Sequence, residues 1–102
     1  MQEFIAEKRE EIAELCRTHH VKRLAVFGSA ARDDFDPNTS DVDIILEFED
    51  MPIEKYAENK WALHDELVSK FHRKVDLLTW ESIQNPYMLE AILRSNETLY
   101  GA

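Results

Sequence analysis

The alternation of apolar and polar residues divides the chain into helices and strands. Two stretches, residues 2–18 and 53–72, carry apolar side chains at near-helical spacing between charged residues, which predicts amphipathic helices. Residues 80–95 show a third helical pattern and contain Pro86, a residue typical of the first helical turn. Helices therefore account for about half of the chain, and the segments between them must supply the rest of the fold.

Short apolar runs between these helices predict the strands of a sheet. The first apolar run is residues 24–27, which Gly28 follows. In the second, residues 41–48, successive side chains alternate between two faces, and residues 75–78 form the third run. Residues 98–100 are a candidate for a short edge strand, and residues 33–40 are predicted to form a loop. Because helices and strands alternate, we predict an α/β (α+β) fold with a small mixed sheet flanked by helices.

Composition and charge narrow the class of protein. The length of 102 residues fits a single domain at residues 1–102. A formal net charge of −9 disfavours nucleic-acid binding and suits a basic protein partner or a cation site. The single cysteine, Cys16, excludes an internal disulfide, so we expect a cytoplasmic location. No apolar run approaches the roughly 20 residues of a membrane span, so no membrane association is expected.

Two acidic residues stand at the start of an otherwise apolar strand. Asp41 and Asp43 are two positions apart, so both carboxylates should project from the same face of the sheet. Aspartate is depleted in strands, and neighbouring carboxylates repel each other unless a cation lies between them. Taken alone, the pair fits a solvated strand end slightly better than a cation site.

A third carboxylate changes this balance. Asp76 is embedded in the apolar run of residues 75–78 and can reach the Asp41/Asp43 side if the two strands are neighbours. Three carboxylates form an all-oxygen site suited to Mg²⁺ or Mn²⁺, and two such ions can stabilise phosphoryl transfer. For Asp76 by itself, a solvated strand end is an equally good interpretation.

A glycine turn precedes the carboxylates. Gly28 permits a sharp turn, and Ser29 begins a predicted helix, where backbone N–H groups favour anions. Arg32 lies one turn further on, where it can neutralise a phosphate. By themselves these residues more often form an ordinary helix N-cap and a surface arginine. The turn combined with three carboxylates is more specific, since metal-assisted transfer from a nucleoside triphosphate requires both.

The segment VFGSAARDDFDPNTSDVDIILEF, residues 26–48, resembles the DNA polymerase β-type nucleotidyltransferases. It is closer still to the minimal nucleotidyltransferase (MNT) proteins of bacteria and archaea. The resemblance implies a polymerase β-like fold, ATP as substrate, two Mg²⁺ ions with Mn²⁺ as an alternative, and a HEPN-domain protein as partner. It further implies an antitoxin of a type VII HEPN/MNT system, which transfers AMP from ATP to a tyrosine hydroxyl of the HEPN ribonuclease toxin.

The same resemblance assigns roles to six residues. Three would bind the triphosphate: Gly28, Ser29 and Arg32. Three would form the metal-binding and catalytic site: Asp41, Asp43 and Asp76. Of these, Asp76 would also help to deprotonate the attacking hydroxyl.

Other functions stay open. The protein could instead be a non-catalytic antitoxin that neutralises its partner by stoichiometric binding. Transfer to a small molecule or an RNA end is a weaker alternative, since small size and negative charge count against it. Only 26 residues follow Asp76, too few for a lid domain. We therefore expect a partner to complete an open cleft and present the acceptor hydroxyl.

The remaining aromatic, histidine and cysteine residues are given structural interpretations. Four aromatic residues are predicted to pack in the core or at an interface rather than to stack on bases: Tyr56, Trp61, Trp80 and Tyr87. No catalytic role is expected for the histidines, although His64 and His72 are spaced to share one helix face. Cys16 lies on an apolar helix stripe and is expected to be inert.

Overall fold

Four strands form one mixed sheet in a computed structural model of the chain, which describes residues 2–31 and 41–101. The strands are β1 (Val21–Phe27), β2 (Val42–Phe48), β3 (Val75–Thr79) and β4 (Glu97–Tyr100). Their order in the sheet is β3-β2-β1-β4. Strand β1 pairs antiparallel with β2 and β4, whereas β2 pairs parallel with β3. A parallel pair needs a crossover connection, and the long helix α3 (Ile53–Phe71) supplies it.

One face of the sheet carries the main hydrophobic core. Alternate residues of β2 point into it, and two helices cover it: α2 (Arg9–Thr18) and α3. The fully buried side chains here include Ile12, Ile44, Leu46, Leu63 and Leu67. Each contributes about 1.5–3 kcal/mol relative to its exposed state, so this face dominates the stability of the fold.

Helix α4 (Pro86–Ser95) packs on the opposite face of the sheet. Pro86 is its first residue, as predicted, and the Asn85 side chain accepts hydrogen bonds from the first backbone N–H groups. Ile92 of this helix packs against Ala25 and Ile45 in a second, smaller cluster. Partly buried Phe27 and Leu78, near the ends of β1 and β3, also pack against this cluster. A small mixed sheet flanked by helices confirms the predicted fold class.

Three elements differ from the sequence prediction by more than one residue. The first helix divides into α1 (Glu3–Ala6) and α2, because Lys8 N–H donates to the Ile5 carbonyl in a tighter turn. Strand β1 begins at Val21, earlier than predicted, because Val21 pairs with Phe48 of β2 and is buried in the core. The third helical segment starts as a short 3₁₀ turn at Trp80–Ser82, and α4 follows only after a break.

The aromatic residues separate into two groups. Tyr56 packs edge-on against Phe48 with 5.3 Å between ring centroids, and Trp80 lies under the Arg23 guanidinium at 5.1 Å. Trp61 and Tyr87 are 69% and 81% exposed, so the core alternative is wrong for these two and packing at an interface stays a prediction. Among residues 2–31 and 41–101, no helix has the length and apolarity to cross a membrane.

Candidate active site

Asp43 and Asp76 lie side by side on neighbouring strands. The parallel register of β2 and β3 pairs Asp43 with Asp76, between the pairs Val42–Val75 and Ile44–Leu77. Paired residues of adjacent strands project from the same face, and the strands lie about 4.8 Å apart. The strands that carry these carboxylates are therefore neighbours, which was the condition for Asp76 to reach the Asp41/Asp43 side.

Asp41 immediately precedes β2, two positions before Asp43. Its Oδ2 atom lies 3.9 Å from Nζ of Lys74, with 43% and 79% of the two side chains exposed. Such an exposed pair contributes little stability. The backbone is held more firmly, because Val42 N–H donates to the Lys74 carbonyl at 3.0 Å. Asp41 is thus half-buried and lies close to the ammonium group of Lys74.

Gly28 brings the glycine turn against this carboxylate face. The antiparallel register pairs Phe27 with Asp43, so the next residue lies beside the Asp43 side chain. Gly28 has φ +63°, and a Cβ atom built on it would lie only 2.6 Å from Asp43 Oδ2. Glycine is needed here both for the backbone conformation and for the space. The turn and the carboxylates therefore form one continuous surface.

The predicted helix after this turn is a single 3₁₀ turn, Gly28–Ala31, in the part of the chain described. Ala30 is buried and accepts a hydrogen bond from Gln2 N–H at 3.3 Å, which holds the turn against the N-terminal segment. Ser29 is half-buried within it. Arg32 lies outside the described residues, as does the loop of residues 33–40, and its phosphate-binding role stays a prediction.

The donor set fits a hard divalent cation. Asp41, Asp43 and Asp76 offer only carboxylate oxygens, the ligands that Mg²⁺ and Mn²⁺ prefer. Among the described residues, no three acidic, histidine or cysteine side chains already stand together as a ligand cluster. Asp76 is exposed and Asp43 half-buried, so rotation about their side-chain bonds can bring the oxygens together without disturbing the core. The residue types and their shared face fit the ion that the sequence predicted.

A groove that sequence reasoning missed adjoins Asp76. Its cavity of about 450 Å³ lies between α3 and β3 and is lined by Tyr56, Lys60, Trp61 and His64 as well as Asp76. His64 Nε2 lies 3.0 Å from the Val75 carbonyl oxygen. Since a carbonyl oxygen can only accept a hydrogen bond, Nε2 carries the proton and donates it. The Trp61 ring stacks on that imidazole at 5.7 Å and an interplanar angle of 7°. The spacing of three between Trp61 and His64 on a helix was the available signal.

A second cavity lies far from these carboxylates. It has a volume of about 490 Å³ and is lined by His19, Met51 and Asn59 among others. Its residues flank the start of β1 and the end of β2, whereas Asp43 and Gly28 lie at the opposite ends of those strands. This cavity is therefore not part of the candidate active site.

Comparison with known proteins places the chain in a family. The nucleotidyltransferase domain family matches residues 8–97. The "Putative protein adenylyltransferase MJ0126" of Methanocaldococcus jannaschii is 39% identical over 85 residues, which cover 82% of each chain. A second protein of that organism, "Putative protein adenylyltransferase MJ1217", is 38% identical over 91 residues, covering 80% of this chain and 88% of its own.

Solved structures share the same fold. A "putative minimal nucleotidyltransferase" superposes with a TM-score of 0.68 at 29% identity, over 91% of this chain and 90% of its own. A toxin–antitoxin structure with AMP-PNP gives a TM-score of 0.71 at 23% identity, over 92% of this chain and 73% of that one. The carboxylate-bearing sheet is thus that of the polymerase β-like fold expected from the motif. The chain belongs to the nucleotidyltransferase domain family, as a protein of the minimal nucleotidyltransferase type.

Proposed function

We propose that this protein transfers AMP from ATP to a tyrosine hydroxyl of a HEPN-domain ribonuclease and so acts as its antitoxin. The observation that carries the proposal is the pairing of Asp43 with Asp76 directly beside the Gly28 turn. Two relatives bear the name of protein adenylyltransferases. One structural neighbour is a tri-AMPylated Shewanella oneidensis HEPN toxin in complex with an MNT antitoxin, which supplies the partner class.

In the proposed reaction, Asp76 accepts the proton of the acceptor hydroxyl and the glycine turn binds the triphosphate. The acceptor hydroxyl oxygen attacks the α-phosphorus of ATP, and the bond from that phosphorus to the bridging oxygen breaks. Pyrophosphate leaves with the bonding electron pair, and the hydroxyl proton passes to the Asp76 carboxylate and then to solvent. Backbone N–H groups at Gly28 and Ser29 bind phosphate oxygens, with Arg32 as a further cationic group.

The three carboxylates would hold the metal. Asp41 and Asp43 would bind both ions, and Asp76 would bind the catalytic ion. Bound Mg²⁺, or Mn²⁺ in its place, supplies positive charge that offsets the charge developing on the phosphate oxygens. The protein's own contribution is orientation, since the register of β2 and β3 fixes the two strands that carry the acidic residues.

Intact-mass measurement tests the proposal. The protein is incubated with the protein encoded by the neighbouring gene, ATP and Mg²⁺, and the partner should gain mass in steps of one AMP. The double variant Asp41→Asn/Asp43→Asn should give no gain, while Asp50→Asn, an exposed aspartate after β2, should behave as wild type. No gain on the partner with the wild-type protein would overturn the proposal.

The non-catalytic antitoxin is the second candidate, and the same variants separate the two. Neutralisation of the partner's ribonuclease activity is compared between wild type and the double variant at equal concentration. If the double variant neutralises as well as wild type, stoichiometric binding is the mechanism. The formal net charge of −9 suits a basic partner in either case. The single domain at residues 1–102 and the cytoplasmic location stay predictions.

A further inference from the structure

We propose that residues 2–6 position the glycine turn for nucleotide binding, and that Phe4 is the positioning residue that connects this segment to the strand of Asp76. The inference rests on the proposed function, since it takes the Gly28 turn to be the triphosphate site. It adds a support to that site, formed by residues outside the carboxylate and glycine-turn motifs.

The glycine turn depends on contacts from outside itself. It is a single 3₁₀ turn, Gly28–Ala31, and the hydrogen bonds of such turns have poorer geometry than those of an α-helix. The conformation of the turn decides where the backbone N–H groups of Gly28 and Ser29 point, and these groups are proposed to bind phosphate. Whatever holds the turn in place therefore contributes to nucleotide affinity.

Residues 2–6 hold the turn through the backbone and the core. Gln2 N–H donates to the Ala30 carbonyl at 3.3 Å. Gln2 is itself fixed, because its own carbonyl accepts hydrogen bonds from the N–H groups of Ile5 and Ala6, both at 3.1 Å. Ile5 and Ala30 have no exposed surface and belong to the same hydrophobic core. The segment and the turn are thus joined by a hydrogen bond and by shared packing.

Phe4 connects the same segment to the strand of Asp76. Its ring meets the Phe71 ring edge-on, with 6.2 Å between centroids and an interplanar angle of 89°. The Arg73 guanidinium lies over the Phe4 ring at 4.6 Å from its centroid, and Arg73 Nε–H donates to the Phe71 carbonyl at 3.4 Å. Phe71 ends α3, and β3 begins at Val75, directly before Asp76. Phe4 therefore packs against the connection that leads into β3.

One segment thus contacts two parts of the chain that the sheet keeps apart. Strand β2 separates β1, which leads into the glycine turn, from β3. The site-forming ends of these strands lie together, because Phe27 pairs with Asp43 and Asp43 pairs with Asp76. Phe4 packs against the core on the α2 and α3 side, whereas the two aspartates alternate with core-facing residues. Residues 2–6 therefore support the site from the side opposite to the carboxylates.

Nucleotide affinity and kinetics test this support. In Phe4→Ala the turn should be correctly placed in a smaller fraction of molecules, which weakens binding in proportion. We expect the calorimetric Kd for ATP with Mg²⁺, and the KM for ATP, to rise about ten-fold while the KM for the protein acceptor stays unchanged. Phe4→Leu keeps an apolar contact with Phe71 and should recover part of the loss.

Met51→Ala is the matched control. Met51 is also partly buried against the main core, but it follows the other end of β2, away from the glycine turn. Its ATP affinity should equal that of wild type, with urea unfolding used to compare the stability of the two variants. An equal loss of ATP affinity in both variants would overturn the proposal, since Phe4 would then act only through general stability.

Hydrogen exchange tests the support without nucleotide. The amides of residues 28–31 and 75–76 should exchange about ten-fold faster in Phe4→Ala than in wild type, and Met51→Ala should leave them unchanged. Wild-type exchange rates for these amides in Phe4→Ala would overturn the proposal, because the segment would then not hold the turn.

The outcomes separate this inference from the proposed function. If wild type transfers AMP and Phe4→Ala binds ATP with unchanged affinity, the inference fails alone. If wild type binds ATP but transfers no AMP, the proposed function fails, and the difference in ATP affinity between wild type and Phe4→Ala still decides the inference. If wild type neither binds ATP nor transfers AMP, both fail.

Discussion

Gly28 and Asp43 are in direct spatial contact, since a Cβ atom on Gly28 would lie 2.6 Å from the carboxylate oxygen Oδ2. The contact follows from the antiparallel register, which places Phe27 opposite Asp43 and the glycine just beyond it. Any change that adds atoms to residue 28 must displace the Asp43 side chain or the turn. The glycine turn and the strand that carries Asp43 are therefore coupled through this contact.

Gly28→Ala should impair stability and activity together. The positive φ of +63° costs a non-glycine residue about 1–2 kcal/mol, and the new methyl group must push Asp43 aside. We expect AMP transfer to fall by about 10²-fold, the loss typical of an ångström-scale misplacement. Urea unfolding and intact-mass kinetics measure the two effects.

Gly101→Ala is the matched control for this variant. Gly101 also has positive φ, +82°, and an added Cβ would lie 2.5 Å from the Lys22 carbonyl, at the other end of β1. It should destabilise the fold by a similar mechanism without the loss of AMP transfer expected for Gly28→Ala. An equal loss of AMP transfer in both variants would show that general destabilisation, and not the contact with Asp43, is responsible.

Asp76→Asn should abolish transfer while leaving the fold intact. The side chain is exposed, and its amide analogue keeps the shape but cannot take the hydroxyl proton or bind a metal as an anion. A rate loss of about 10²–10⁴-fold is expected, in line with the removal of a general base. The thermal midpoint should stay within a few degrees of wild type. Retention of more than a tenth of the wild-type rate would exclude Asp76 from the chemistry.

His64→Ala should loosen β3 at the position before Asp76. The variant loses the hydrogen bond from Nε2–H to the Val75 carbonyl and removes the support beneath Trp61. We expect a loss of about 1 kcal/mol in the free energy of unfolding. His64→Gln can still donate to that carbonyl and should recover part of the loss. Faster hydrogen exchange of the β3 amides in His64→Ala, and not in the glutamine variant, would identify the bond as the cause.

Cys16 should make stability fall at alkaline pH. Burial raises the pKa of its thiol from 9.0 to about 12 in the folded state. Between these values the unfolded chain releases the proton while the folded protein keeps it, so rising pH favours unfolding. The urea-unfolding free energy of wild type should therefore decline above pH 9 more steeply than that of Cys16→Ala. Parallel curves for the two proteins would contradict this assignment.

Native alkylation gives an independent check on the same thiol. At pH 8 a group with a pKa of about 12 carries almost no thiolate, and Cys16 has no exposed surface. Iodoacetamide should label the protein only in denaturant. Rapid labelling under native conditions would show that the N-terminal helix opens readily.

Much of the local structure was predictable because local rules governed it. Two-residue periodicity predicted that Val42, Ile44, Leu46 and Phe48 of β2 face the core, and apolar spacing located α3 within a residue of its end. Pro86 marked the start of α4 because the fixed φ of proline suits the first helical position, which is a local property of the chain. The prediction of one continuous N-terminal helix was wrong, since no breaker residue signals the turn at Lys8.

The sequence by itself determined the chemistry that is available: a glycine turn, two same-face carboxylates and a third within another strand. Tertiary structure alone decided that Asp76 stands beside Asp43 and that Gly28 touches the same carboxylate. Strand order and register depend on how the helices close over the core, which no local window of residues contains. The stacking of Trp61 on His64 also depends on tertiary structure. The carbonyl that accepts a hydrogen bond from His64 belongs to Val75 of β3, a strand that only the fold brings close to α3.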